Sequence, residues 1–103
     1  PALVNIERQL SMTETVTDNP TQNRFEMLVD GETAAVYYRH EGDNLVLVHT
    51  EVPQALSGRG IGSKLAQGVF DRIRADGHKA IVTCPFLVKW ASRHPEINDL
   101  VAG

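Results

Sequence analysis

The residues best placed to do chemistry are Ser57-Gly58-Arg59-Gly60-Ile61-Gly62-Ser63, which join the apolar run Leu45-Val46-Leu47-Val48 to an amphipathic segment ending near Asp76. A glycine-rich turn therefore stands at a helix N-terminus. The amides of a first helical turn have no partners inside the helix, and the positive end of the helix dipole lies among them. Glycine also lets a phosphate approach without meeting a Cβ. The chemistry implied is capture of a phosphate by main-chain donors. Spacing excludes two common ligands. A nucleoside triphosphate loop needs glycine before Lys64 and Ser or Thr after it, where this chain has Ser63 and Leu65. The dinucleotide fingerprint G-x-G-x-x-G fails too, because its last glycine would fall on Ser63 or Leu65. What remains is G-x-G-x-G.

The elements that must hold this turn are strands before it and a helix after it. Glu14 to Asp18 and Arg24 to Val29 flank the turn-rich Asn19-Pro20-Thr21-Gln22-Asn23, and Phe25, Met27 and Val29 alternate with polar Glu26. This reads as a hairpin. Asp30-Gly31-Glu32 turns into Thr33 to His40, and Glu41-Gly42-Asp43-Asn44 turns again into Leu45 to Glu51. Leu45 to Val48 is apolar on both faces, as expected of a central strand. From Arg59 the period changes, with Ile61, Leu65, Val69 and Ile73 every four residues and Ala66 and Phe70 widening the stripe. The helix stops at Asp76-Gly77, and Lys79 to Cys84 reads as a short strand. A strand-helix-strand crossover is right-handed and sets its two strands parallel, with their carboxyl ends beside the glycine turn. Pro85 ends the last strand, and a short helix from Phe86 to Arg93 precedes Pro95. Residues 1–12 are weakly patterned, an arm or an edge strand. The expected class is α+β: antiparallel strands, a crossover with a parallel last strand, and a short C-terminal helix.

At 103 residues the chain is sized for a single domain. One cysteine and no apolar run near the ~20 residues that cross a bilayer point to a cytoplasmic protein without a membrane partner. The first residues, Pro1-Ala2-Leu3-Val4-Asn5-Ile6-Glu7-Arg8, lack the pattern of a signal peptide. Net charge is −3, with nine acidic and three basic residues through Gly58 and four acidic and seven basic from Arg59 onward. The basic half suits a polyanion and the acidic half a cationic amine, although ordinary solvated faces are the commoner meaning of such a split. A nucleic-acid partner is disfavoured, since no basic patch interleaves with aromatics. His78 and His94 lack spaced Cys, Asp or Glu partners, so no metal is expected.

With these residues in view, the chain resembles the GNAT acyltransferase superfamily, whose pyrophosphate turn reads Q/R-x-x-G-x-G/A. Gly60-Ile61-Gly62 matches the end of that turn, and Ser57 stands where Gln or Arg is usual. Glu51-Val52-Pro53, Arg59-Gly60, Cys84-Pro85-Phe86 and Arg93-His94-Pro95-Glu96 together resemble the small YjdJ-type subgroup, over roughly residues 23 to 101. The resemblance implies acetyl coenzyme A as cofactor, held by Ser57, Gly58, Arg59, Gly60, Ile61, Gly62 and Ser63. Arg59 would stand in for the missing side chain. Lys89 and Arg93, four apart on the last helix, would reach phosphate from one face, although a solvated face is the commoner reading.

Acetyl transfer needs an amine made neutral, a polarised carbonyl and a proton for the leaving thiolate. A lysine-like amine with a pKa of about 10.4 is almost wholly protonated at neutral pH. His49 and Glu51, two apart on a strand and so on one face, are the candidates for a base relay, with a satisfied strand histidine and a surface carboxylate as the alternatives. In the superfamily a strand bulge offers a backbone donor to the thioester carbonyl, and by resemblance it would lie at Glu51-Val52-Pro53, with the Val52 amide as donor. The superfamily's acid is a tyrosine after the last strand, whereas the final tyrosine here is Tyr38. Cys84 would supply that proton or take the acetyl group itself, against the alternative of a small buried hydrophobe. Trp90 reads as core. The chain is short for the superfamily, so the acceptor groove is expected to be open and to take an amine of a peptide, a protein or a polyamine. The expected assembly is a monomer or weak homodimer. The rival readings are a non-catalytic acyl coenzyme A binding module and an interaction domain without cofactor.

Overall fold

The computed structural model describes residues 15–102, and the expectation for residues 1–12 lies outside them. The strands are Val16–Asn19 (β1), Arg24–Val29 (β2), Glu32–Glu41 (β3), Asn44–Glu51 (β4) and Lys79–Val82 (β5). They form one sheet in the order β1-β2-β3-β4-β5, antiparallel except for the parallel pair of β4 with β5. The helices are Ile61–Ala75 (α1) and Pro85–Ser92 (α2), with 3₁₀ turns at Gln54–Leu56 and Pro95–Leu100. The α+β crossover expected from the sequence is therefore present.

Local chemistry explains each corner. The β2–β3 connection is a tight turn in which Asp30 (φ 51°) and Gly31 (φ 78°) both take positive φ, the requirement of the hairpin turn whose twist suits its strands. Helix α1 buries Ile61, Leu65, Ala66, Val69, Phe70 and Ile73, the stripe read from the period. It ends with the Gly77 amide on the Arg74 carbonyl at 3.2 Å and the His78 amide on the Ile73 carbonyl at 3.1 Å, which needs Gly77 at φ 75°.

Both helices and the Pro95–Leu100 turn share one core with a single face of the sheet, through Val16, Phe25, Met27, Val29, Ala34, Val36, Tyr38, Leu45 and Leu47. Tyr38 is buried there and donates its hydroxyl to Asp18 at 2.6 Å. Burial, and then that carboxylate, push its pKa well above the ordinary tyrosine value.

Two expectations shift. β5 ends at Val82 rather than Cys84, because the amides of Thr83 and Cys84 both turn onto the Leu47 carbonyl, at 3.1 and 3.2 Å, and Pro85 then opens α2. Past Pro95 the chain is ordered as a 3₁₀ turn and then as Val101, bridged in parallel to Ala80. Long-range contacts fix that turn. Arg74 makes a two-pronged bond to Asp99 at 2.8 and 3.1 Å, and Lys79 donates to the Asp99 carbonyl at 2.7 Å.

Candidate functional site

The glycine turn follows the Gln54–Leu56 3₁₀ turn, with Gly58 at φ 79° and Gly60, the N-cap of α1, at φ 72°. The first bond of α1 runs from the Lys64 amide to the Gly60 carbonyl at 3.2 Å, so the amides of Ile61, Gly62 and Ser63 precede any partner inside the helix. The Gly60 N-cap makes no side-chain bond, and the first turn holds no acidic residue. Gly58, Arg59, Gly60 and Ser63 are exposed, and nothing lies within 4 Å of a Cβ placed on Gly58 or Gly60. The corner fits an anion on all three grounds. Arg59, however, is drawn the other way, donating to Asp30 in the β2–β3 turn at 2.8 Å.

Helix α2 packs against the start of α1. The Trp90 indole N–H donates to the Ser63 hydroxyl at 3.0 Å, and Trp90 lies between Phe70 and His94 in near-parallel stacks of 5.5 and 3.7 Å. Lys89 on α2 and Arg93, its C-cap, are exposed and four residues apart. A Cβ on Gly62 would sit 3.0 Å from the Phe86 ring. Gly62 thus preserves a narrow space that a side chain would close.

That space lies beside the end of β4, beyond its last pairing with β5 at Leu47 and Val82. A cavity of about 240 Å³ there is lined by Thr50, Val52, Gly62 and Phe86, and a second of about 350 Å³ by Thr33, Thr50, Glu51, Val52 and Pro53. Thr50 and Val52 line both. A further cavity of about 460 Å³ between β5, α2 and the Pro95–Leu100 turn is lined by no titratable side chain and touches neither the glycine turn nor Glu51.

The bulge expected at Glu51-Val52-Pro53 lies earlier in β4. The register passes from Tyr37 opposite His49 to Tyr38 opposite Leu47, leaving Val48 as the extra residue, while the ladder continues unbroken to Glu51 opposite Ala35. Proline therefore does not mark the break; Pro53 caps the following 3₁₀ turn. The bulge reverses the alternation along the strand. Leu45 and Leu47 face the core, but beyond Val48 it is Thr50, opposite core residue Val36, that points inward, and His49 and Glu51 share the outer face with Tyr37.

His49 and Glu51 are brought together, with Nε2 to Oε2 at 3.4 Å, both exposed, and Glu51 lines the second cavity. Cys84 lies on the other side of β4, its thiol buried at 5% exposure and 3.4 Å from the Thr50 hydroxyl. Sequence reasoning missed Thr50, Tyr37 and Phe86. Tyr37 donates to Glu51 at 3.4 Å and accepts from Arg24 at 2.8 Å. Its signal was parity, an aromatic with a polar tip on the solvent face of a strand whose other face is apolar. Glu26, at the far end of this row, has its carboxyl held below the usual range by hydrogen bonds from Asn19 and then Arg24.

A family model described as GCN5-related N-acetyl-transferase matches residues 24–100. The chain belongs to the GCN5-related N-acetyltransferase family. It is 34% identical over 77 residues to Protein NATD1 of Mus musculus, covering 72% of this chain and 70% of that protein. To Protein NATD1 of Homo sapiens it is 37% identical over 65 residues, 62% of this chain and 58% of the relative. That second match spans less than two thirds of the human protein. A GCN5-like protein from Staphylococcus aureus, solved by NMR in solution, shares the fold with a TM-score of 0.66 at 24% identity, over 88% of this chain and 90% of that one.

As a GCN5-related N-acetyltransferase domain, the chain has a fold whose family generally binds acetyl-CoA. Gly62→Ala tests the fit directly. Alanine favours the helix by up to ~1 kcal/mol, so stability is kept, whereas the added methyl narrows the gap and weakens coenzyme A binding about tenfold by calorimetry. Unchanged affinity would place the ligand elsewhere. Among the described residues no three His, Cys, Asp or Glu side chains converge on a metal position, and no helix is long and apolar enough to cross a membrane.

Proposed function

We propose that this chain transfers an acetyl group from acetyl-CoA to an amine presented by a peptide, a protein or a polyamine. The observation that carries the reading is the shared lining of the two cavities, because Thr50 and Val52 connect the side reached from the glycine turn with the side holding Glu51. When bound, acetyl-CoA supplies the activated acetyl group as a thioester. The amides of residues 58–63 would hold its diphosphate, with Lys89 and Arg93 at the end of α2 adding positive charge. Phe86 and Gly62 would shape the passage toward β4. The Val52 amide, where the chain leaves β4, would donate to the carbonyl oxygen, an interaction worth ~3 kcal/mol where such donors have been removed.

On the open face His49 and Glu51 would take the proton from an incoming ammonium. The Cys84 thiol lies beside the Thr50 hydroxyl and would hold the proton that a departing thiolate needs. Cys84→Ala then lowers kcat roughly tenfold or more with coenzyme A affinity retained, and full turnover in that variant would remove the thiol from the mechanism. Membership of the YjdJ-type subgroup, a cytoplasmic setting and a monomeric or weakly dimeric state belong to the same proposal.

Ser57 at the usual Gln or Arg position, Arg59 turned to Asp30 and no tyrosine after Tyr38 favour a second reading, a module that binds acyl coenzyme A without turnover. Calorimetry and thermal unfolding with acetyl-CoA decide binding: at 100 times its dissociation constant a ligand adds about 2.7 kcal/mol of stability. The absence of any shift would sink both readings. Assays with spermidine, a lysine-containing peptide and a folded protein as acceptors then separate enzyme from binder.

A further inference from the structure

We infer that Tyr37 and Arg24 are positioning residues for Glu51, an inference that rests on the acetyl-transfer reading above. Four strands contribute to one hydrogen-bonded row on the outer face of the sheet. Asn19 on β1 donates to Glu26 at 2.9 Å, and Arg24 on β2 donates through Nε to the same Glu26 oxygen at 2.5 Å. Arg24 then donates through Nη1 to the Tyr37 hydroxyl on β3 at 2.8 Å, and Tyr37 lies 3.4 Å from Glu51 Oε1 on β4. His49 takes the other oxygen of Glu51.

The direction of this row follows from donor and acceptor inventories. A guanidinium has no acceptor, so the Tyr37 oxygen must accept from it, and the hydroxyl proton is left to point at Glu51, whose carboxylate only accepts. Glu26 holds the guanidinium from its Nε side, and the Arg24 carbon sits 5.6 Å from the Tyr37 ring centroid, so the arginine is kept over the tyrosine rather than swinging onto Glu51. The Tyr37 and His49 rings lie 5.8 Å apart, which confines the imidazole beside its carboxylate. Glu51 is thereby held from both oxygens at the mouth of a cavity, on a surface where an isolated glutamate would sample many rotamers.

An ordinary cross-strand pair would make the same contacts and affect only stability. The test therefore asks whether Tyr37 acts through Glu51. With acetyl-CoA and whichever of spermidine or a lysine-containing peptide the chain acetylates, Tyr37→Phe lowers kcat about tenfold and leaves the KM for acetyl-CoA within about twofold. In a Glu51→Gln background the same change alters kcat by less than about twofold. An equal loss in both backgrounds would overturn the inference. A second measurement is independent of turnover: in Arg24→Gln the carboxyl ¹³C resonance of Glu51, two strands away, moves further than that of Glu32. If wild type acetylates no amine, the transfer reading fails and this resonance alone decides the linkage. An unmoved Glu51 signal would refute it.

Discussion

Gly68→Ala lowers the midpoint of thermal unfolding by roughly 5–15 °C, a large effect for one methyl group. Gly68 lies in α1 where the helix crosses β1, and a Cβ built there falls 2.3 Å from Val16 Cγ2 and 3.0 Å from its Cβ. Val16 is β-branched and itself buried, so it cannot swing aside as a long side chain would. Overpacking costs about 1–3 kcal/mol, and a 2.3 Å approach to a branched, buried side chain puts this case in the upper half, about 2–3 kcal/mol, less ~1 kcal/mol that alanine gains over glycine inside a helix. The net, about 1–2 kcal/mol, converts at about 4–8 °C per kcal/mol for a domain of this size. Differential scanning calorimetry measures it. Val16→Ala combined with Gly68→Ala should recover part of the loss, and a Gly68→Ala variant as stable as the parent would show that α1 and β1 do not touch as described.

On the acetyl-transfer reading proposed above, Glu51→Gln has the largest expected effect, lowering kcat about 10²–10³-fold with coenzyme A binding unchanged. The amide matches the carboxylate in shape and still accepts from Tyr37, but it cannot take a proton. Its position at the cavity mouth, away from the glycine turn, is why affinity for the cofactor should survive. Steady-state kinetics and calorimetry on the same variant check both halves. Turnover within about threefold of the parent would remove Glu51 from the chemistry and leave His49, or solvent, as the base.

Much of this site was legible before folding was considered. The turn from Ser57 to Ser63 announces itself because phosphate capture uses main-chain donors, and glycine spacing at a helix start records that directly. The α1 stripe and its Gly77 stop were equally plain, since helix periodicity and capping are local. So was the pairing of His49 with Glu51, a consequence of two-residue strand geometry.

Which face that pair occupies was not local. Read straight along β4, Leu45, Leu47, His49 and Glu51 belong to one side, and only the extra residue at Val48, set by pairing with β3, turns the last two outward and Thr50 inward to Cys84. The Pro95–Leu100 turn had no signal of its own either, because Arg74, Lys79 and the bridge to Ala80 hold it from distant parts of the chain. The amino-acid order thus determined that a crossover with a glycine turn at its helix start forms, and that His49 and Glu51 share one face of a strand. Tertiary packing alone decided that His49 and Glu51 face outward while Thr50 turns inward to Cys84, because strand register is a property of neighbours in space.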